Sequence, residues 1–131
     1  MSPRGDSIEG RTHKVLICED EAIVAMDLQF MVEDLGFDVI GPCARISQGL
    51  RLADDVHLDA AILDVRLLDG EVFPLAEVLR DKGVRLIFHS GHALSEEIRD
   101  RFPDASFCPK PIVKSALIRA LMRVLEAEPQ D

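Results

Sequence analysis

Five short, unbroken apolar runs separated by helical patterns constrain this chain more than any other feature. The runs are Val15-Leu16-Ile17-Cys18, Val39-Ile40, Ala60-Ala61-Ile62-Leu63, Leu86-Ile87-Phe88 and Ser106-Phe107-Cys108. They are continuous rather than alternating, as expected of parallel strands covered on both faces. The segments between them repeat apolar residues at i, i+3, i+4 and i+7, the spacing of amphipathic helices. Ile46, Gly49, Leu50 and Ala53 fit it, as do Val72, Leu75, Ala76 and Leu79. Leu117, Ala120, Leu121, Val124 and Leu125 fit best. A first helix from about Ala22 to Leu35 is apolar nearly all round and ends at Gly36. The fourth has a thin stripe, Leu94, Ile98 and Phe102, with a start at Ser95-Glu96-Glu97. The pattern is five βα units. Right-handed crossovers then give an α/β, doubly wound (βα)5 fold with helices on both faces. Its reactive site should lie just beyond the carboxyl ends of the strands, at the switch point.

The 131 residues suffice for one core that buries roughly two-thirds of the unfolded surface. Residues 1–12 read as a polar leader, within which Ile8-Glu9-Gly10-Arg11 has the form of a protease recognition sequence. Residues 13–126 read as the domain and 127–131 as a polar tail. No effector domain fits after the last helix, so a stand-alone module is expected. Fifteen Lys+Arg against 24 Asp+Glu give a net charge of −9, which argues against nucleic acid or an anionic membrane as partner. No apolar run approaches the ~20 residues of a membrane span, and the start lacks the apolar core of a signal peptide. Cys18, Cys43 and Cys108 form no Cys-x-x-Cys and read as small buried hydrophobes in a reducing, cytoplasmic setting.

Charge-bearing residues gather at the expected strand ends. The first run leads into Glu19-Asp20-Glu21, the third into Asp64, the fourth into Ser90 and the fifth into Lys110-Pro111. Two bare carboxylates about 4 Å apart repel by roughly 4 kcal/mol at an effective dielectric of 20. Such a cluster must raise a pKa or bind a cation, and hard oxygen ligands suit Mg²⁺. Carboxylates, a divalent cation, a lysine and a hydroxyl together make a phosphoryl-transfer site.

Taken in order, these residues resemble the receiver domain of two-component response regulators over about residues 13–126. Glu19-Asp20 is similar to the family's acidic pair and Asp64 to its phosphoacceptor. Asp69-Gly70 is similar to the turn after it, Ser90 to the hydroxyl position, Lys110-Pro111 to the Lys-Pro step and Phe107 to the aromatic switch. Phe88-His89-Ser90-Gly91-His92 resembles a subgroup of single-domain receivers with a Phe-x-Thr-Gly step. The resemblance implies a flavodoxin-like five-stranded parallel sheet of order 2-1-3-4-5. It implies Mg²⁺ held by Asp20, Asp64 and the Arg66 backbone carbonyl, with Glu19 acting through a water. Asp64 would take a phosphoryl group from a histidine kinase or histidine phosphotransfer protein, with Lys110, Ser90 and Mg²⁺ sharing its oxygens. Ser90 and Phe107 would carry the change to the face of the fourth helix, fifth strand and fifth helix, where a downstream protein reads it. Arg66 and His92 would tune how water reaches the acyl phosphate, and the Lys110-Pro111 bond would be cis.

Two departures bear on the outcome. Leu68 stands where many receivers have proline, which is expected to loosen the loop after Asp64. Gly91 follows the hydroxyl where alanine is usual, which permits unusual backbone angles. Blander roles also exist: Asp20 as a helix N-cap, Glu21 as the metal-linked acid in place of Glu19, Phe107 as plain core. His13, His57, His89 and His92 are scattered singly, so histidine metal ligation is not expected. The alternative function is a phosphorylation-independent adaptor of the same fold. A dehalogenase-type aspartyl-phosphate hydrolase would want a second Asp where Arg66 stands. A flavodoxin would want a phosphate loop where Glu19-Asp20-Glu21 would repel the cofactor.

Overall fold

The computed structural model describes residues 12–91 and 96–126. The leader through Arg11, the tail over 127–131, and His92, Leu94 and Ser95 lie outside the described residues. The elements in chain order are β1 (Lys14–Cys18), α1 (Ala22–Asp34), β2 (Asp38–Cys43), α2 (Ile46–Asp55), β3 (Ala60–Asp64), α3 (Phe73–Asp81), β4 (Arg85–Ser90), α4 (Glu96–Arg101), β5 (Ser106–Pro109) and α5 (Lys114–Glu126). A hairpin of Arg66–Leu67 and Gly70–Glu71 stands between β3 and α3, outside the main sheet. The five strands are parallel in the order β2-β1-β3-β4-β5. This is the expected doubly wound sheet.

The apolar runs are buried because both sheet faces are covered. Val15, Ile17, Ala60, Ile62 and Ile87 face α1 and α5, which contribute Leu28, Val32, Leu117, Leu121 and Val124. Leu16, Cys18, Ala61, Leu63, Leu86 and Phe88 face the other way, against α2, α3 and Phe102. Register places Ile17, Ile62 and Ile87 side by side across the three central strands, all with no exposure. Each such side chain contributes roughly 1.5–3 kcal/mol by leaving water. Phe73, Phe88 and Phe102 pack together on the second face at 5.3–6.2 Å between ring centres. The α5 positions expected to be apolar are buried without exception. In α1, by contrast, only Ala25, Leu28 and Val32 are buried, and Ile23, Met26 and Phe30 stay exposed. Among the described residues no helix is long and apolar enough to cross a membrane.

Two glycines set the chain's course. Gly36, at φ 93°, ends α1 in a Schellman motif: its N–H donates to Glu33 O at 2.9 Å and the Phe37 N–H to Val32 O at 3.4 Å. Gly41, also at φ 93°, opens a bulge in β2, where Leu16 pairs with Ile40 but Cys18 with Cys43. A Cβ on Gly41 would lie 3.0 Å from both the Ile17 carbonyl oxygen and the Cys43 amide nitrogen. The extra residue brings the Cys43 carbonyl to accept the Glu19 N–H at 2.8 Å. The bulge therefore fixes the first residue past β1.

Of the fourth helix's expected stripe, Ile98 is half-buried against the core and Phe102, just past Arg101 with its N–H on Ile98 O at 3.0 Å, is buried in the aromatic cluster. Two expectations need correcting. The loop after Asp64 is tied down rather than loose. The Leu68 N–H, which a proline would lack, donates to Ala44 O at 3.0 Å. Asp69 accepts the Ile46 and Ser47 N–H groups at 2.6 and 3.2 Å, capping α2 from the hairpin because Arg45 provides no side-chain cap. Gly91 takes no left-handed angle, and a Cβ there would meet nothing within 4 Å. These contrasts yield a test. Gly41→Ala should lower unfolding free energy by about 1–3 kcal/mol in urea denaturation. Gly91→Ala should stay within about 0.5 kcal/mol of the parent.

Candidate functional site

Strand parity delivers the site. Successive side chains alternate faces, so Glu19 follows Val15 and Ile17, Asp64 follows Ala60 and Ile62, and His89 follows Ile87. Asp64 and His89 are register partners in β3 and β4. Lys110 lies one residue past β5, its backbone N–H donating to Ser90 O at 2.8 Å, and the Lys110–Pro111 peptide is cis, as is Gly41–Pro42.

Carboxylate oxygens of Glu19, Asp20 and Asp64 lie within 4.8 Å of one another. Glu19 and Asp64 are buried, at 2% and 7% exposure. Lys110 Nζ donates to Asp64 Oδ2 at 3.1 Å and sits 3.4 Å from Glu19 Oε1 and 3.8 Å from Glu21 Oε1. Glu19 Oε2 accepts the Glu21 N–H at 3.0 Å. Glu19 Oε1 lies 3.1 Å from His89 Nε2, with both side chains fully buried. That approach is off the line of a well-formed hydrogen bond, which leaves Glu19 Oε1 and both His89 ring nitrogens without an aligned partner.

The charges are strongly coupled. Burial pushes the Glu19 carboxyl up, but His89, the Glu21 N–H and Lys110 together outweigh it and hold it at about 2. Asp64 is raised, first by burial and then by the Glu19 charge, and Lys110 and His89 offset this only in part. Burial lowers Lys110, but its carboxylate neighbours more than compensate and raise it. Glu19 is thus firmly anionic, and the ionised Asp64 beside it is disfavoured. The arrangement is short of positive charge.

The remaining expected residues fall as follows. Asp20 is half-buried and does not cap α1, whose N-cap residue is Glu21 with no side-chain cap. Glu21 is exposed, so Glu19 is the buried acid beside Asp64. Ser90 closes β4 opposite Pro109. Arg66 lies in the hairpin, its exposed guanidinium 3.7 Å from Glu71. Phe107 is half-buried beside Phe88, with the Arg99 guanidinium 5.6 Å from its ring centre. The three cysteines are buried and free, and Cys18 and Cys43 are register partners. Sequence reasoning missed His89 and the capping by Asp69. The signal for His89 was a polar residue directly after the apolar run Leu86-Ile87-Phe88, at the end of a strand that borders the site.

No family model matches the chain. The transcriptional regulatory protein PdtaR of Mycobacterium tuberculosis is 27% identical over 122 residues, 91% of this chain and 60% of its own length. The chain thus spans about three-fifths of that relative. Among solved structures, SdrG of Sphingomonas melonis Fr1 is 30% identical with a TM-score of 0.74, over 87% of this chain and 97% of SdrG. The non-phosphorylated HemR receiver domain of Leptospira biflexa is 26% identical with a TM-score of 0.80, over 92% of this chain and 99% of that domain.

The two buried acids should respond oppositely to neutralisation. The native Asp64 carboxyl titrates above its unfolded value, so its contribution to stability falls as pH rises through the native pKa. In metal-free buffer at pH 7, Asp64→Asn should raise Tm, and the gain should fade as pH drops toward about 4. Glu19 titrates below its unfolded value, so its contribution is full above about 4.5 and is lost progressively as pH falls toward about 2. Glu19→Gln should therefore lower stability at pH 7 by up to a few kcal/mol. Thermal melts across pH check both signs.

Proposed function

The chain belongs to the receiver domains of response regulators, and on that premise we propose that it is a cytoplasmic phosphoacceptor of a two-component or phosphorelay system. Asp64 takes a phosphoryl group from the phosphohistidine of a kinase or phosphotransfer protein. The change is read by contact with a downstream protein. The carrying observation is Asp64 itself, a buried carboxylate at the end of β3, 3.1 Å from Lys110 and clustered with two further acids.

The donor set fits Mg²⁺: three carboxylates converge, and Glu19 Oε1 is buried without an aligned partner. Asp20, Asp64 and the Arg66 backbone carbonyl would hold the ion, with Glu19 acting through a water. Bound Mg²⁺ supplies positive charge for the transferring phosphoryl oxygens. A carboxylate oxygen of Asp64 forms the new O–P bond as the N–P bond of phosphohistidine breaks, and the imidazole leaves with the bonding electron pair. Lys110, already paired with Asp64, meets one phosphoryl oxygen, and the Ser90 hydroxyl donates to another. Ser90 moving toward the phosphoryl group opens space that Phe107 fills, which alters the face built by α4, β5 and α5. Arg66, with His92, tunes water access to the acyl phosphate, a role that an unchanged phosphoryl lifetime in Arg66→Ala would exclude. The exposed Ile23, Met26 and Phe30 of α1 provide apolar surface along the helix that follows Glu21, in keeping with a protein phosphodonor.

Incubation with Mg²⁺ and acetyl phosphate should add one phosphoryl group by intact-mass spectrometry. Asp64→Asn should show no gain, and Lys110→Met should slow the reaction on the order of 10²-fold. An unchanged mass for the wild type would favour a phosphorylation-independent adaptor.

A further inference from the structure

We propose that His89 is a positioning residue for the metal-binding side of this pocket, holding the Glu19 carboxylate toward Asp20 and Asp64 through its Nε2–H. The inference rests on Glu19 being a metal-linked acid of the phosphoacceptor site.

His89 has no exposure and stands in a strand whose preceding residues, Leu86, Ile87 and Phe88, are all buried apolar side chains. A buried imidazole without hydrogen-bond partners is destabilising, a cost that Leu or Val at the same place would avoid. The polar group it meets is Glu19 Oε1, at 3.1 Å. On one side β5 pairs His89 with Cys108, whose thiol turns to the Ala116 carbonyl; on the other β3 pairs it with Asp64, but the carboxylate that meets the ring, at 3.1 Å, is Glu19.

Glu19 needs such a fixed point. Its Oε2 is pinned by the Glu21 N–H at 3.0 Å, whereas among the described residues the donors that approach its Oε1 are those of Lys110 and His89. Lys110 is shared with Asp64, which it approaches more closely, and phosphoryl transfer draws it toward the new phosphoryl oxygens. Its ammonium is divided between the two carboxylates, so its hold on Glu19 Oε1 is partial. The short His89 side chain, held by β4 and closely packed, keeps Oε1 oriented throughout. The off-line geometry of the present contact suits a pair that tightens when the site fills. Groups that orient a metal-binding carboxylate typically change metal affinity 10–100-fold when removed.

Mg²⁺ titration calorimetry on the full chain tests this. His89→Leu should weaken Mg²⁺ binding by about 10–100-fold, and His89→Gln, which keeps an N–H donor, should restore most of the loss. In a Glu19→Ala background, His89→Leu should have no further effect. Equal weakening by Leu and Gln, or full additivity with Glu19→Ala, would overturn the role. Wild type that binds Mg²⁺ while His89→Leu binds it as tightly overturns the inference alone. Wild type that binds no Mg²⁺ overturns the phosphoacceptor reading with it. Should His89→Leu not fold, long-range ¹H–¹⁵N spectra of the wild-type imidazole decide the matter. A proton on Nε2, and ring signals that shift on adding Mg²⁺, are expected. A bare Nε2, or ring signals indifferent to Mg²⁺, would count against the proposal.

Discussion

Three carboxylates with oxygens within 4.8 Å of one another, served by one ammonium, are the constraint around which this molecule is arranged. At that spacing each like-charged pair repels by roughly 3–4 kcal/mol at an effective dielectric of 20. Lys110 relieves only part of this, since it divides itself between Asp64 and Glu19. The strain appears as opposite displacements of two neighbouring acids: Glu19 is held ionised while Asp64 is pushed toward its neutral form. A divalent cation held among the three carboxylates would offset that repulsion.

The rest of the fold makes that arrangement tolerable. Beneath the pocket runs a dry row of Ile17, Ile62 and Ile87, and helices seal both sheet faces. Rigid backbone then presents the acids. The β2 bulge at Gly41 lets the Cys43 carbonyl take the Glu19 N–H. The hairpin after Asp64 is clasped to the start of α2 by Asp69 and by the Leu68 N–H. The proline common at that place in related chains restricts a dihedral, and here a hydrogen bond that proline could not make does the holding.

Legibility in the sequence followed burial. Central strands β1, β3 and β4 carry unbroken apolar stretches between polar ends and stood out at once, because water is excluded from both their faces. Edge strand β2 showed only Val39-Ile40, because Asp38, Gly41 and Pro42 lie exposed at the margin of the sheet. The first helix looked apolar all round, yet Ile23, Met26 and Phe30 remain uncovered, and periodicity cannot say which apolar face finds a partner. The thin stripe of the fourth helix was legible at Ile98 and Phe102, which both pack on the core, Phe102 in the cluster with Phe73 and Phe88. The acids and the lysine were readable from their places at strand ends, since the doubly wound topology has one end where such groups converge. His89 was not, because a lone histidine at the end of an apolar run looks the same whether it meets a carbonyl, a water or a carboxylate.

By itself, then, the order of apolar runs, helical spacings and strand-end charges determined the sheet, its crossovers and the set of residues that could meet, because short-range pattern and chirality leave few ways to wind five βα units. Which of them touch was decided by tertiary structure alone. The choice of Glu19 over Glu21 as the buried acid, the sharing of Lys110, the pairing of Glu19 with His89 and the remote cap from Asp69 all depend on distances between strands and loops far apart in the chain. Electrostatic energies at those contacts change steeply over an ångström, and residue spacing along a polypeptide carries no information that fine.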